Sequence, residues 1–321
     1  MKKGLIFIII SIIVFCACIV IVEPKGANKT DSSKVQIVAT LFPQYDFARQ
    51  IGGDKVNVSL LLTPGTETHT YEPTPQDIIS INDADLFIYT GKYMEPWSER
   101  IISGVDSDTK VLDASQNINM IKSEDDDEED EEEHEHEHEH EEHHHHEYDP
   151  HIWLDPQNAI VMVKNITEEL CLIDKENEEY YRANSERLIA EINNLDKDIE
   201  DTVKNSSKNK IAFGGTFAYA YFVNRYNLEY VTAYHSCGES AEPSVAKVKE
   251  VIDYMKKNDI KVVFYQEASA GKIADSIAAE TGAKKLVFHT IHNATQEEIN
   301  NGETYISLMR KNLDNLKQAL E

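Results

Sequence analysis

Eight of the chain's thirteen histidines crowd into one run, and five stand apart: His69, His151, His235, His289 and His292. Three of these are placed where chemistry gathers. His69 follows a Pro64-Gly65 turn, His151 follows Asp149-Pro150, and His289 directly follows the apolar run 286–288. In open parallel sheets, ligands collect at the carboxyl ends of the strands. Imidazoles carried there from distant parts of the chain would make a metal site. Neutral imidazole binds zinc at about 2.0–2.1 Å. It suits zinc and the later transition metals better than calcium or magnesium, which take oxygen shells. His69, His151 and His289 are therefore the candidate metal ligands. The fourth position is open to water, Glu67 or another histidine. His292, three positions beyond His289, and His235 are held in reserve.

The dense run, 124–147, is made of Asp, Glu and His alone, 16 acids and 8 histidines. Histidine alternates with glutamate over 134–140, and four histidines follow at 143–146. One reading is a solvated charged spacer. The favoured one is metal scavenging, multi-site and of modest affinity, because no fixed geometry offsets the entropy of ordering the ligands. The net charge of −27 is largely this segment's. Without it, 42 acids face 31 bases, which leaves −11. An acidic chain argues against nucleic acid as a partner, since phosphate recognition needs basic surface.

Enzyme signatures are missing. No His-Glu-x-x-His helix, Gly-x-Ser-x-Gly elbow or phosphate loop occurs. Gly214-Gly215 after a strand is too little for a nucleotide site, and reads as a close backbone approach. A zinc hydrolase would need a water-open metal and a nearby base. Glu67 is the nominal base, but no motif frames it.

The N-terminus reads as an address. Lys2-Lys3 precede residues 4–22, a run without charge. That is the pattern of an export signal. Phe15-Cys16-Ala17-Cys18 is similar to a bacterial lipobox, with Cys18 as the cysteine to be lipidated. The competing reading is an uncleaved anchor, since about 20 apolar residues span a bilayer. Either way the protein is tethered at the outer face of the membrane, with residues 23–34 as the tether. Cys171 and Cys237 remain in the exported part, and their spacing in sequence does not say whether they pair.

Apolar residues make up 41% of the chain. That is enough for a real core. Strands are expected at 35–41, 56–62, 86–90, 110–112, 211–213, 230–233, 262–265 and 285–288. Helices are expected at 42–51, 75–84, 217–226, 244–257, 272–281 and 302–319. A long helical pattern begins near 158 and is clearest at Leu188, Ile192, Leu195, Ile199 and Val203. The fold class is α/β. Two lobes are expected, each a parallel sheet flanked by helices and the two joined by one long helix. The boundaries are an N-terminal lobe at 35–123 and 148–175, a linking helix at 176–207 and a C-terminal lobe at 208–321.

Several segments together resemble the zinc- and manganese-binding substrate-binding proteins of bacterial ABC importers, the family of zinc-uptake periplasmic proteins and adhesin-like lipoproteins. They are PGTETHTYEPTP at 64–75, DADL at 83–86, GKYMEPW at 91–97, HIWLDP at 151–156 and AEPS at 241–244. The resemblance covers about 35–320. It implies a metal bound between two lobes and delivery to an importer permease by a monomer. The family's first ligand falls on His69 and its second on His151. The third does not carry over: Thr216 stands where histidine is expected. The fourth, an acid after the last strand, falls near His289. The segment FHTIHN at 288–293 resembles a branch with two histidines there, so His289 is taken to restore the three-imidazole set. The cargo is read as Zn2+, with Mn2+ or Fe2+ in the same role as the alternative. A zinc hydrolase, or a surface adhesin and metal buffer, are the readings of another class.

Overall fold

Short β-branched runs alternate with amphipathic stretches, and in a computed structural model of the chain they assemble as two parallel sheets. Residues 34–66, 68–69, 71–123, 147–234, 243–267 and 269–321 are described. The apolar run 4–22 with Cys18, residues 124–146, Glu67, His235 and Cys237 lie outside them. Among the described residues no helix is long and apolar enough to cross a membrane.

The first lobe is built from β1 (Val35–Ala39), α1 (Phe42–Gly52), β2 (Val56–Leu60), α2 (Pro75–Asn82), β3 (Leu86–Tyr89), α3 (Ser98–Ile102) and β4 (Lys110–Asp113). Its strand order is β2-β1-β3-β4, all parallel. Then come α4 (Pro156–Ile173) and the long α5 (Glu178–Asn205). The second lobe holds β5 (Lys210–Phe213), α6 (Ala220–Arg225), β6 (Glu229–Thr232), α7 (Val245–Lys257), β7 (Val262–Tyr265), α8 (Lys272–Thr281), β8 (Lys284–Val287), α9 (Gln296–Asn300) and α10 (Tyr305–Leu320). Its order is β6-β5-β7-β8, again parallel. The α/β class and the linked pair of lobes are as expected.

The long helix carries the join. Leu188, Ile192, Leu195 and Ile199 are buried in one core that runs from Val35 in β1 to Leu320 in α10. Alternating spacings of four and three put these side chains on one stripe, so α5 covers elements of both lobes. The helical pattern before it is two helices. Asp155 caps α4 by accepting the Gln157 amide at 2.8 Å, with Pro156 at the first helical position. A short 3-10 turn at Lys175–Asn177 separates α4 from α5.

Some elements differ from the expectation. The helix expected over 217–226 is only Ala220–Arg225. Phe217 and Tyr219 are drawn into the core instead, where Tyr219 stacks on Phe213 with ring centroids 4.7 Å apart. Tertiary burial thus overrides helical continuation. Two short helices, α3 and α9, were not expected. The second begins in a capping box formed by Thr295 and Glu298. The close approach read into Gly214 is real. A Cβ there would lie 2.8 Å from Cα of Ala274 in α8. Among the described cysteines, Cys171 is buried and unpaired by disulfide.

Candidate metal-binding cleft

The two sheets present their carboxyl ends to one seam. Asn293, beyond β8, donates from Nδ2 to the carbonyl of Thr63, beyond β2, at 3.0 Å. The Phe42 amide that opens α1 donates to the carbonyl of His292 at 3.1 Å. Trp153 Nε1 donates to the carbonyl of Thr290 at 2.8 Å, and the Tyr305 hydroxyl donates to the carbonyl of Trp153 at 2.7 Å.

Two of the expected ligands meet at this seam. The rings of His69 and His151 have centroids 6.0 Å apart and planes inclined at 67°. The motif residues around them act as supports. Trp97 Nε1 donates to the carbonyl of Thr68, next to His69, at 3.3 Å. Tyr71 packs edge-on against Trp97 and donates to Asp77 Oδ2 at 2.6 Å. Asp77 also accepts from Thr74 in the capping box that starts α2. The hydrogen bonds hold the Asp77 carboxyl below its ordinary value against the opposing effect of burial, while burial and this carboxylate push the Tyr71 hydroxyl up to about 12.

His151 is oriented by Asp149. One carboxylate oxygen accepts the His151 amide at 2.8 Å and its ring Nδ1–H at 3.0 Å. A carboxylate accepts only, so the ring proton sits on Nδ1, and Nε2 carries the lone pair. This carboxylate–imidazole pairing is the usual outer support of a metal-bound histidine. The Tyr221 hydroxyl, from the second lobe, donates to the carbonyl of Asp149 at 2.9 Å and accepts the Ile121 amide at 3.0 Å.

His289 is arranged differently. It is buried, and the Asn312 side chain clamps its amide at 2.6 Å and its carbonyl at 2.8 Å. Its Nδ1 accepts the Ile291 amide at 2.9 Å, and its Nε2 lies 3.5 Å from Glu298 Oε1. The imidazole beside it, opposed by burial and aided by the Thr295 amide, brings the Glu298 carboxyl down to about 2. His292 Nδ1 instead meets the Thr290 hydroxyl, which donates to Glu267 Oε1 at 2.6 Å. Glu267 Oε2 accepts the Thr290 amide at 3.0 Å.

Thr216, standing where the resemblance expects histidine, pairs with Gln266. Its hydroxyl donates to Oε1 at 2.7 Å, and Gln266 Nε2 donates to the Thr216 carbonyl at 3.1 Å. Glu267 and Asn312 carried no signal in the sequence, because each lies far along the chain from its partner, Thr290 for the first and His289 for the second. Among the described residues, no three His, Cys, Asp or Glu side chains are drawn together tightly enough to hold one ion.

Two parallel α/β lobes on one long helix, with imidazoles paired at the strand ends, define a two-lobed binding protein. The chain belongs to the family described as zinc-uptake complex component A, periplasmic, whose model matches residues 37–319. It is 38% identical over 314 residues to the high-affinity zinc uptake system protein ZnuA of Bacillus subtilis, covering 96% of each chain. Among solved structures it is similar to the metal-dependent lipoprotein YcdH of Bacillus subtilis, with a TM-score of 0.75, 35% identity, and coverage of 89% of this chain and 99% of that one. It is also similar to the Zn(II)-bound ZnuA-like domain of Streptococcus pneumoniae AdcA. There the TM-score is 0.73 at 31% identity, over 89% of this chain and 99% of that domain.

Proposed function

We propose that this protein captures Zn2+ between its lobes and delivers it to the permease of an ABC importer. It acts as a monomer tethered at the extracytoplasmic face of the membrane, by lipidation of Cys18 or by the apolar run 4–22. The observation that carries this reading is the His69–His151 pair, whose rings stand 6.0 Å apart where the lobes meet. The Asp149 contact supports it, because it sets the tautomer a cation needs. A third imidazole comes from the segment 288–293, where the sequence points to His289. Capture draws these side chains inward around the ion. No bond is made or broken, so function lies in capture and release. The relatives named for zinc support zinc as the cargo. Imidazole donors favour it over manganese, which prefers oxygen.

The acidic histidine segment feeds the cleft by raising the local concentration of cations. Native mass spectrometry of the chain lacking residues 124–147 tests the separation of the two roles. One tightly held zinc per chain is expected after the deletion. A deletion variant that holds none would contradict the cleft reading.

A further inference from the structure

The strap of chain that leads into His151 is held from both lobes. Residues 147–149 run antiparallel to 121–123. The Ser123 amide donates to the carbonyl of Glu147 at 3.1 Å, and the Asp149 amide donates to the carbonyl of Ile121 at 2.9 Å. Tyr148 packs against Tyr93 of the first lobe, with ring centroids 5.2 Å apart. Tyr221 reaches the strap from α6, in the second lobe. The Ile121 amide lies 3.0 Å from the Tyr221 oxygen and can only donate, so the single hydroxyl proton goes to the Asp149 carbonyl at 2.9 Å. Tyr221 is buried, and burial raises its hydroxyl above the ordinary range, so it keeps that proton.

Three constraints then meet on Asp149. Its amide is tied to Ile121 and its carbonyl to Tyr221. Pro150 follows it and disfavours a helical backbone at 149. With its main chain fixed, the Asp149 carboxylate reaches forward to the amide and ring N–H of His151. The place of Tyr221 is itself set by Tyr219, two residues earlier. Tyr219 is fully buried, stacks on Phe213 and donates to the carbonyl of Phe288. One short segment of the second lobe thus grips both the chain before His289 and the strap before His151.

We propose that Tyr221 is a positioning residue for zinc capture: without touching the cation, its hydroxyl lets the second lobe hold the Asp149 carboxylate against His151. This rests on the cleft reading above. The test is a double-mutant cycle in the full chain between Tyr221→Phe and Asp149→Ala, which isolates the coupling of the two residues. Phenylalanine keeps the ring packed and removes only the hydroxyl. Zinc affinity is measured by competition with a chromophoric chelator tight enough to exclude the acidic segment. Tyr226→Phe is the control, since it deletes a buried hydroxyl close by that bonds Asp196 at 2.8 Å and has no link to Asp149. Tyr221→Phe should weaken zinc about 10-fold, at the lower end of outer-shell effects, and Tyr226→Phe should stay within about twofold of wild type. In the Asp149→Ala background, Tyr221→Phe should cost less than about twofold more, because the group it acts through is gone. Wild-type affinity in Tyr221→Phe, losses that multiply in the double variant, or an equal loss in Tyr226→Phe overturns the proposal. A wild-type chain that fails to compete for zinc brings down the cleft reading, and this proposal with it.

Discussion

The indole nitrogen of Trp153 donates to the carbonyl of Thr290 across 2.8 Å, and this bond fastens the segment bearing His151 to the segment bearing His289 and His292. Trp153 is fully buried, and its own carbonyl accepts from Tyr305 at the start of α10. Replacing Trp153 by Phe leaves the Thr290 carbonyl without this donor in a buried place. A loss of about 1–3 kcal/mol in unfolding free energy is expected from urea titration. Zinc affinity should fall with it, because the two ligand segments lose their common register. Unchanged stability would show that the bond contributes nothing net.

Asp149 is predicted to matter for binding more than for folding. Its carboxylate accepts both the amide and the ring N–H of His151. Asp149→Ala should weaken zinc by about 10–100-fold, as outer-shell changes at histidine ligands typically do. Isothermal titration with a competing chelator measures it. Affinity equal to wild type would mean that the imidazole is oriented by something else.

Asn312 has no part in binding by this account, yet it completes the buried main chain of His289 on both sides. Asn312→Leu strands one amide and one carbonyl. It should cost about 2–4 kcal/mol of stability, read from chemical denaturation. A neutral result would require the backbone to find other partners.

Glu95 gives a pH dependence. It is fully buried, accepts from the Thr40 hydroxyl at 2.5 Å and from the Thr90 amide at 3.1 Å, and burial pushes its carboxyl up to about 8. The folded chain therefore binds this proton more tightly than the unfolded one. The stability linked to it is present below the ordinary carboxylate range and is lost as pH rises toward about 8. The slope reaches about 1.4 kcal/mol per pH unit at most within that window. Glu95→Gln cannot ionise and should flatten the profile. Denaturation midpoints at about pH 5 and about pH 8 decide, and the same slope in both proteins would assign the dependence elsewhere.

Much of the scaffold was legible because it rests on local signals. The stripe at Leu188, Ile192, Leu195 and Ile199 is a period, and all four residues are buried. Pro75 and Pro156 each open a helix behind a capping Thr74 or Asp155. His69 and His151 could be singled out by what precedes them, and the fold brings their rings together. What was not legible depends on distant pairing. The Glu267 carboxylate reaches Thr290 only because β7 and β8 lie side by side, with Tyr265 opposite Val287. The left-handed backbone of Ile291 is equally hidden from the sequence. No propensity predicts it for an isoleucine, since tertiary contacts must force it. The sequence offered two histidines after β8, and its place directly behind the strand put His289 ahead of His292. The partners that surround the two rings, Glu298 beside His289 and the Thr290–Glu267 pair beside His292, are brought there by the fold and not by local sequence.

The most direct measurement is a crystal structure of the zinc-loaded chain lacking residues 124–147, with anomalous scattering collected at the zinc edge. One strong peak is expected at the seam, about 2.0–2.1 Å from a ring nitrogen of His69 and of His151, with a third imidazole from 288–293 completing the contact. A peak away from both His69 and His151, or no ordered zinc in the loaded crystal, would contradict it.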